Sequence, residues 1–189
     1  MIEPGDVAAL LLAAGQSERF GTEDKLLASL DGMPLALHAA ERLAALNFGW
    51  RIAICRDGSP LIDSLMALGF NVKINPDPAR GLSSSLALGI EQAELVGAEA
   101  ALVALGDMPF ITPRHLSALM AGFDAKISPI VASSDHGTGM SPALFGKAFF
   151  EHLRTASGDQ GGRALFSQAT LISAEPAELR DIDRPEDIG

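Results

Sequence analysis

A chain of 189 residues, 48% of them hydrophobic and with a mean hydropathy of +0.23, is long and apolar enough to bury a core, which excludes a disordered tail. Its formal net charge of -10 offers no global positive field for nucleic acid or an anionic membrane surface, so any anionic ligand must be held by local donors. The single cysteine, Cys55, excludes an intrachain disulfide and a multi-cysteine metal site. The opening MIEPGDV lacks the pattern of a secretory leader, and no apolar run approaches the roughly 18 residues of a membrane span. A soluble, cytoplasmic protein is expected.

Short apolar runs alternate with longer segments of helical period, the pattern of βαβ units around a parallel sheet. Val7 to Ala13 is almost continuously apolar and is predicted as a central strand covered on both faces. Pro34 opens a helix to about Leu46, with Leu35, Ala39, Leu43 and Leu46 on one face. Arg51 to Cys55 is the next strand, and there a buried thiol is the expected state of Cys55. A helix from Pro60 to Leu68 stops at Gly69, and a strand from Asn71 to Ile74 runs into the turn-rich NPDPARG. A helix follows from about Ser84 to Glu94, then a buried strand from Ala100 to Leu105 that breaks at Gly106 and presents Asp107. Thr112 caps and Pro113 starts another helix. Beyond it come a strand at Pro129 to Ala132, a polar loop SSDHGTGMS, a helical stretch from Lys147 to about Arg154, a Gly-rich loop SGDQGGRALF entering a helix, a short strand ATLIS and a terminal turn DIDRPEDIG. No repeat, linker or domain boundary is visible, so residues 1–189 are expected to form one α/β domain with a mostly parallel sheet.

In open parallel sheets ligands bind beyond the carboxyl ends of strands, where strand order reverses. Two such loops carry suitable chemistry. After the first strand, Ala14 and Gly15 lack bulk, so backbone amides there can approach a phosphate; Ser17 adds a donor, and Arg19 and Lys25 add positive charge. The spacing fits neither the Walker-type nor the dinucleotide-binding glycine pattern, which disfavours a P-loop ATPase and a nicotinamide-dependent reductase. After the Ala100 to Leu105 strand, Asp107 is a hard oxygen donor suited to Mg2+, which takes one or two carboxylates and completes its octahedron with phosphates and water. In DIDRPED, alternation puts Asp181 and Asp183 on one side of an extended segment and Ile182 on the other. His38, His115, His136 and His152 share no metal-ligand spacing and are expected to be surface or capping side chains.

LLAAGQSERFG followed by DKLL, then NPDPARGLSSSLALGI, LGDMPFIT, GDQGGRALF and DIDRPED, in this order, resemble the MobA-like nucleotidyltransferases over about residues 7 to 188, and among them the molybdenum cofactor cytidylyltransferase branch. The resemblance implies a Rossmann-like, three-layer α/β/α fold that transfers a nucleoside monophosphate from an NTP to a phosphate, with Mg2+ required. For the cytidylyltransferase branch the donor is CTP and the acceptor is metal-loaded molybdopterin, with pyrophosphate released and a molybdoenzyme as a recipient. It implies that Leu12, Ala13, Ala14 and Gly15 hold the triphosphate, with Arg19 on the pyrophosphate side and Lys25 on the α-phosphate. It also implies that Asn75, Gly81, Ser84 and Ser85 form the nucleobase-side wall, that Asp107 and Asp183 bind the metal with Asp181 as the alternative, and that Asp159 and Arg163 belong to an acceptor-side loop.

Three departures from the family's pattern bear on base choice, the second metal ligand and acceptor recognition. Three residues, TED, separate Gly21 from Lys25, as in the guanylyltransferase branch, whereas LAAG and the segment from Asn75 favour the cytidylyl side. Arg184 replaces the usual threonine before Pro185, and GMSP lacks the Arg and His of the family's Arg-Gly-His-Pro-like stretch. A guanylyltransferase, another phosphate-acceptor nucleotidyltransferase of this fold, and a non-catalytic molybdopterin-binding accessory protein are the competing readings.

Overall fold

The computed structural model describes residues 2–15, 24–155 and 162–188. The strands in chain order are β1 (Val7–Ala13), β2 (Ser29–Leu30), β3 (Met33–Pro34), β4 (Trp50–Arg56), β5 (Asn71–Asn75), β6 (Ala100–Leu105), β7 (Ile130–Asp135), β8 (Thr138–Gly146) and β9 (Thr170–Ser173). The α-helices are α1 (Leu35–Ala44), α2 (Ile62–Ala67), α3 (Leu82–Leu95), α4 (Pro113–Ala121) and α5 (Phe150–Thr155). Among the described residues seven strands form one sheet in the order β5-β4-β1-β6-β8-β7-β9, and β2 and β3 form a separate hairpin. Every pairing in the large sheet is parallel except those made by β8, which runs antiparallel to both β6 and β7.

Strand β1 sorts its side chains by alternation into two cores. Val7, Ala9 and Leu11 face α1, α2 and α4 through Leu43, Leu65 and Leu116, while Ala8, Leu10 and Leu12 face α3 and α5 through Leu86, Ile90 and Leu153. The result is the expected three-layer α/β/α arrangement. Each fully buried leucine or isoleucine in these layers contributes about 1.5–3 kcal/mol of transfer free energy. Cys55 lies fully buried in the first core, as expected, and burial pushes its thiol up to about 11. Among the described residues no helix is long and apolar enough to cross a membrane.

From β1 the chain crosses to β4 and β5 on one side, then returns to place β6 on the other. Strand order therefore reverses between β1 and β6, whose carboxyl ends carry the two loops of interest.

The structure departs from the expected elements at several places. The polar stretch after Ala132 is not a loop: β7 continues to Asp135, His136 and Gly137 turn with φ of 47° and 83°, and β8 returns through Gly146. A two-residue turn with positive φ at both positions matches strand twist, and the buried hydroxyls of Ser133 and Ser134 are compatible with a strand inside the sheet. Ahead of the expected helix stands the β2–β3 hairpin, which turns at Asp31 and Gly32 with φ of 50° and 82°, the conformation that an Asp-Gly pair favours. Helix α3 begins at Leu82 rather than Ser84, and its N-cap is Gly81 at φ +80°, a conformation that favours glycine, with no side chain capping the end.

Candidate active site at the carboxyl ends of β1 and β6

The ends of β1 and β6 are joined by a bond from the Gly106 amide to the Leu12 carbonyl, 3.0 Å. Ala13 and Ala14 are buried and Gly15 is exposed at the strand's exit, so the backbone there is not screened by bulk. Arg19, together with Ser17, lies outside the described residues. At Asp24 the carboxylate does two things. Oδ1 accepts from the Leu26 amide at 3.1 Å, capping the 3-10 turn Lys25–Leu27, and Oδ2 accepts from Arg56 at 2.6 Å. Arg56 is the last residue of β4, so that strand helps to anchor the turn, while Leu26 buries its side chain in the first core. Lys25 is thereby fixed at the backbone with its side chain directed to the end of β6.

Its ammonium meets Asp107 Oδ2 at 2.6 Å and Asp183 Oδ1 at 3.0 Å. Three residues singled out separately, as much as 158 positions apart, thus converge on one point. Burial works against the Lys25 charge, but the two neighbouring carboxylates outweigh it and its pKa is raised. Asp183 arrives on an extended strap. The Ile182 amide donates to the Asp107 carbonyl at 2.9 Å, Ile182 itself is fully buried with Leu30 and Leu35, and the Arg180 guanidinium stands over the Phe110 ring at 4.6 Å. Asp187 then gathers the Asp183 and Arg184 amides on its Oδ2 at 3.1 and 2.8 Å. Asp24, Arg56 and Asp187 are not among the site residues expected from sequence, and Ile182 is expected only as the residue opposite the two aspartates. For Asp24 the visible signal was an aspartate two residues before an apolar pair, an N-cap pattern.

Asp107 Oδ1 is buried and has no hydrogen-bond partner among the described residues. An unspent carboxylate oxygen is costly to bury and suits a position that receives a cation. Asp181 lies close enough to feel the other two carboxylates: burial first, then Asp183 and Asp107, raise its pKa. Among the described residues no group of three or more His, Cys, Asp or Glu has the geometry of a complete metal cage. A pair of carboxylates with one idle buried oxygen fits a Mg2+-type ion that draws its remaining ligands from phosphates and water.

Asn75 is 3% exposed. Its amide nitrogen donates to the hydroxyls of Ser84 and Ser85 at 2.8 and 3.0 Å, and its Oδ1 accepts from the Asp77 amide at 2.9 Å. Ser84 donates in turn toward the carbonyls of Gly81 and Asp77. These bonds tie the end of β5 to the start of α3. Two cavities flank the first turns of α3. One, about 370 Å³, is lined by Asn75, Asp77, Arg80 and Ser84 among others. The second, about 200 Å³, is bounded by Leu12, Leu86 and Met108, with Arg163 and Asp181 as its charged members. Arg163 opens the 3-10 turn Arg163–Gln168, where a helix was expected; Asp159 lies outside the described residues.

One histidine departs from expectation. His115 is buried, and its Nε2 lies 2.8 Å from Ser133 Oγ, which gives its only proton to the Pro142 carbonyl at 2.6 Å. Nε2 must therefore carry a hydrogen and donate to the serine. Burial lowers the His115 pKa below the ordinary 6.5, against an opposing pull from Glu178. The unfolded chain then binds more protons than the folded one as pH falls below 6.5, so this contribution to stability is present above that pH and lost below it. Thermal melts between pH 8 and 5 are expected to fall more steeply for the native protein than for His115→Gln, and parallel curves would contradict the assignment.

The sequence model for the MobA-like NTP transferase domain matches residues 9–174. The chain belongs to that family and is a nucleotidyltransferase. Among curated relatives, the purine catabolism protein PucB of Bacillus subtilis is 26% identical over 194 residues, covering 94% of this chain and 92% of that protein. A molybdenum cofactor guanylyltransferase of Burkholderia vietnamiensis is 30% identical over 183 residues, covering 94% and 84%. Solved structures share the fold: a nucleotidyl transferase from Methanothermobacter thermautotroptrophicus has a TM-score of 0.77 at 22% identity, covering 96% of this chain and 93% of that one. Rv0371c of Mycobacterium tuberculosis, solved in complex with manganese, has a TM-score of 0.78 at 19% identity, covering 96% and 95%. The MobA-like fold thus agrees with the resemblance read from the sequence.

Proposed function

We propose that this MobA-like protein, acting in the cytoplasm as one domain spanning residues 1–189, transfers CMP from CTP to the terminal phosphate of metal-loaded molybdopterin. Pyrophosphate leaves, and the dinucleotide product passes to a recipient molybdoenzyme. The observation that carries the transferase reading is the convergence of Lys25, Asp107 and Asp183 beyond the switch point of the sheet. The cytidylyl branch is supported by Ala14 in LAAG and by the segment from Asn75 through Ser85.

In this reading an acceptor phosphate oxygen attacks the α-phosphorus in line, a P–O bond forms, and the bond to the oxygen bridging the β-phosphate breaks. Negative charge grows on the equatorial and leaving oxygens, so the protein's task is to place charge and amides there rather than to supply a nucleophile. Backbone amides near Gly15 cradle the triphosphate, Arg19 faces the departing pyrophosphate, and Lys25 faces the α-phosphate. Asp107 and Asp183 would hold Mg2+, which when bound neutralises charge on the phosphates. Asn75, Ser84 and Ser85 support the nucleobase wall beside the open amino end of α3. Arg163, at the 200 Å³ cavity, is on the acceptor side together with Asp159.

The three-residue TED spacing and the relatives named guanylyltransferases favour GTP as a second reading. Competition between CTP and GTP with metal-loaded molybdopterin separates the two. Base-edge discrimination is expected to favour CTP by about 10²-fold. Equal or greater GMP incorporation would move the protein to the guanylyl branch and leave the metal site standing.

A further inference from the structure

We propose that the Lys25 ammonium holds the cation position between Asp107 and Asp183 until a nucleoside triphosphate draws it away, so that a divalent ion enters this site together with the nucleotide's phosphates and not before them. The inference rests on the nucleotidyltransferase reading and deepens it: the species the site accepts is a metal–triphosphate complex.

One ammonium lies within hydrogen-bond distance of one oxygen on each carboxylate, at 2.6 and 3.0 Å, and both contacts are largely shielded from water on the Lys25 and Asp107 side. A divalent ion added to that arrangement would meet a positive charge already bound to the oxygens it needs, and the two cations repel strongly in a partly buried setting. The carboxylate is only half spent, however, because Asp107 Oδ1 is buried with no hydrogen-bond partner among the described residues. The pair therefore keeps a donor ready for an incoming ion while Lys25 balances its charge. Exchange needs little movement. Asp24 and Leu26 hold the turn at the backbone, so the four-carbon stem of Lys25 can swing toward a phosphate while Lys25 Cα stays in place. A triphosphate carries more negative charge than the two carboxylates together and so draws the ammonium, whose departure uncovers the carboxylates for the metal. By linkage, whatever factor the nucleotide adds to metal affinity the metal must add to nucleotide affinity.

The test uses Mn2+ as the probe, with free ion followed by electron paramagnetic resonance as the metal-free protein is titrated. Lys25→Met is expected to bind Mn2+ alone about 10-fold or more tightly than the native protein, within the usual range of coupling between sites. Adding Asp107→Asn to Lys25→Met is expected to abolish that gain. An α,β-methylene NTP analogue is expected to tighten Mn2+ binding far more in the native protein than in Lys25→Met. Melting curves of Lys25→Met and the milder Lys25→Gln with and without Mn2+ guard against a folding artefact, and Mn2+ is expected to raise their midpoints more than that of the native protein. Equal affinity of the native protein and both variants for Mn2+ alone would overturn the inference while leaving nucleotidyl transfer intact. Absence of transfer with every NTP would overturn the functional reading without altering the difference in Mn2+ affinity.

Discussion

Asp107→Asn and Asp183→Asn are each expected to lower kcat by about 10²-fold or more, and the double variant to lose little beyond either one. In the proposed mechanism both carboxylates serve a single ion, and a lone carboxylate leaves the α-phosphate unplaced for in-line attack, so the two act as a unit and their effects are not additive. The structure also indicates how these variants should fold. From the sequence, two close acids imply repulsion that an amide would relieve, with some gain in stability. With Lys25 set between them that repulsion is already balanced, so no gain is expected. Each single variant leaves the ammonium one carboxylate, and the melting temperature in chelator should stay within a few degrees of the native value. Steady-state turnover against Mg2+ concentration, with melts in chelator as the control, checks both parts. If Asp183→Asn turned over normally while Asp181→Asn did not, the second ligand would move by two residues, to the carboxyl whose pKa is already raised by Asp183 and Asp107.

Lys25→Ala is expected to cost about 10²-fold in kcat, or about 3 kcal/mol, with a smaller change in KM, because its charge is needed where negative charge develops rather than where substrate first docks. Arg19→Ala is expected to raise KM as well. Lys25 has a second duty in the free protein, where its loss leaves two carboxylates facing each other within a partly buried site. The Lys25→Ala protein should therefore melt at lower temperature in chelator and recover when divalent ions are added. Turnover of both variants under saturating and limiting NTP separates the kcat and KM effects; unchanged kinetics in both would return the loop to ordinary turn chemistry.

Periodicity and strand-end logic carried the sequence reading where the signal was continuous. The predicted limits of the two apolar strands that frame the site coincide with β1 and β6, because a run buried on both faces has no alternative register to adopt. Thr112 and Pro113 marked the start of α4 for equally local reasons. The convergence of Lys25, Asp107 and Asp183 was legible only as three separate suggestions, since what joins them is tertiary. Ile182 plugs a small apolar cluster and its amide docks on the Asp107 carbonyl, and nothing in DIDRPED announces that partner. Strand β8 was missed because its polar half, Thr138 to Ser141, looks like a loop until it is paired with β7. The buried His115 likewise depends on a serine eighteen positions away on another element. Asn75, expected at the nucleobase side, lines the cavity beside α3, and its bonds to Ser84 and Ser85 join two elements, a tertiary role that its residue type does not announce.

The most direct measurement follows label from α-32P-CTP in the presence of Mg2+ and metal-loaded molybdopterin, with the native protein beside Asp107→Asn. Label is expected to move from CTP into a molybdopterin dinucleotide with one pyrophosphate released per transfer, and transfer by Asp107→Asn, folded to the same extent, to fall by about 10²-fold. No transfer from any of the four common NTPs, or transfer undiminished in Asp107→Asn, would contradict the proposed mechanism.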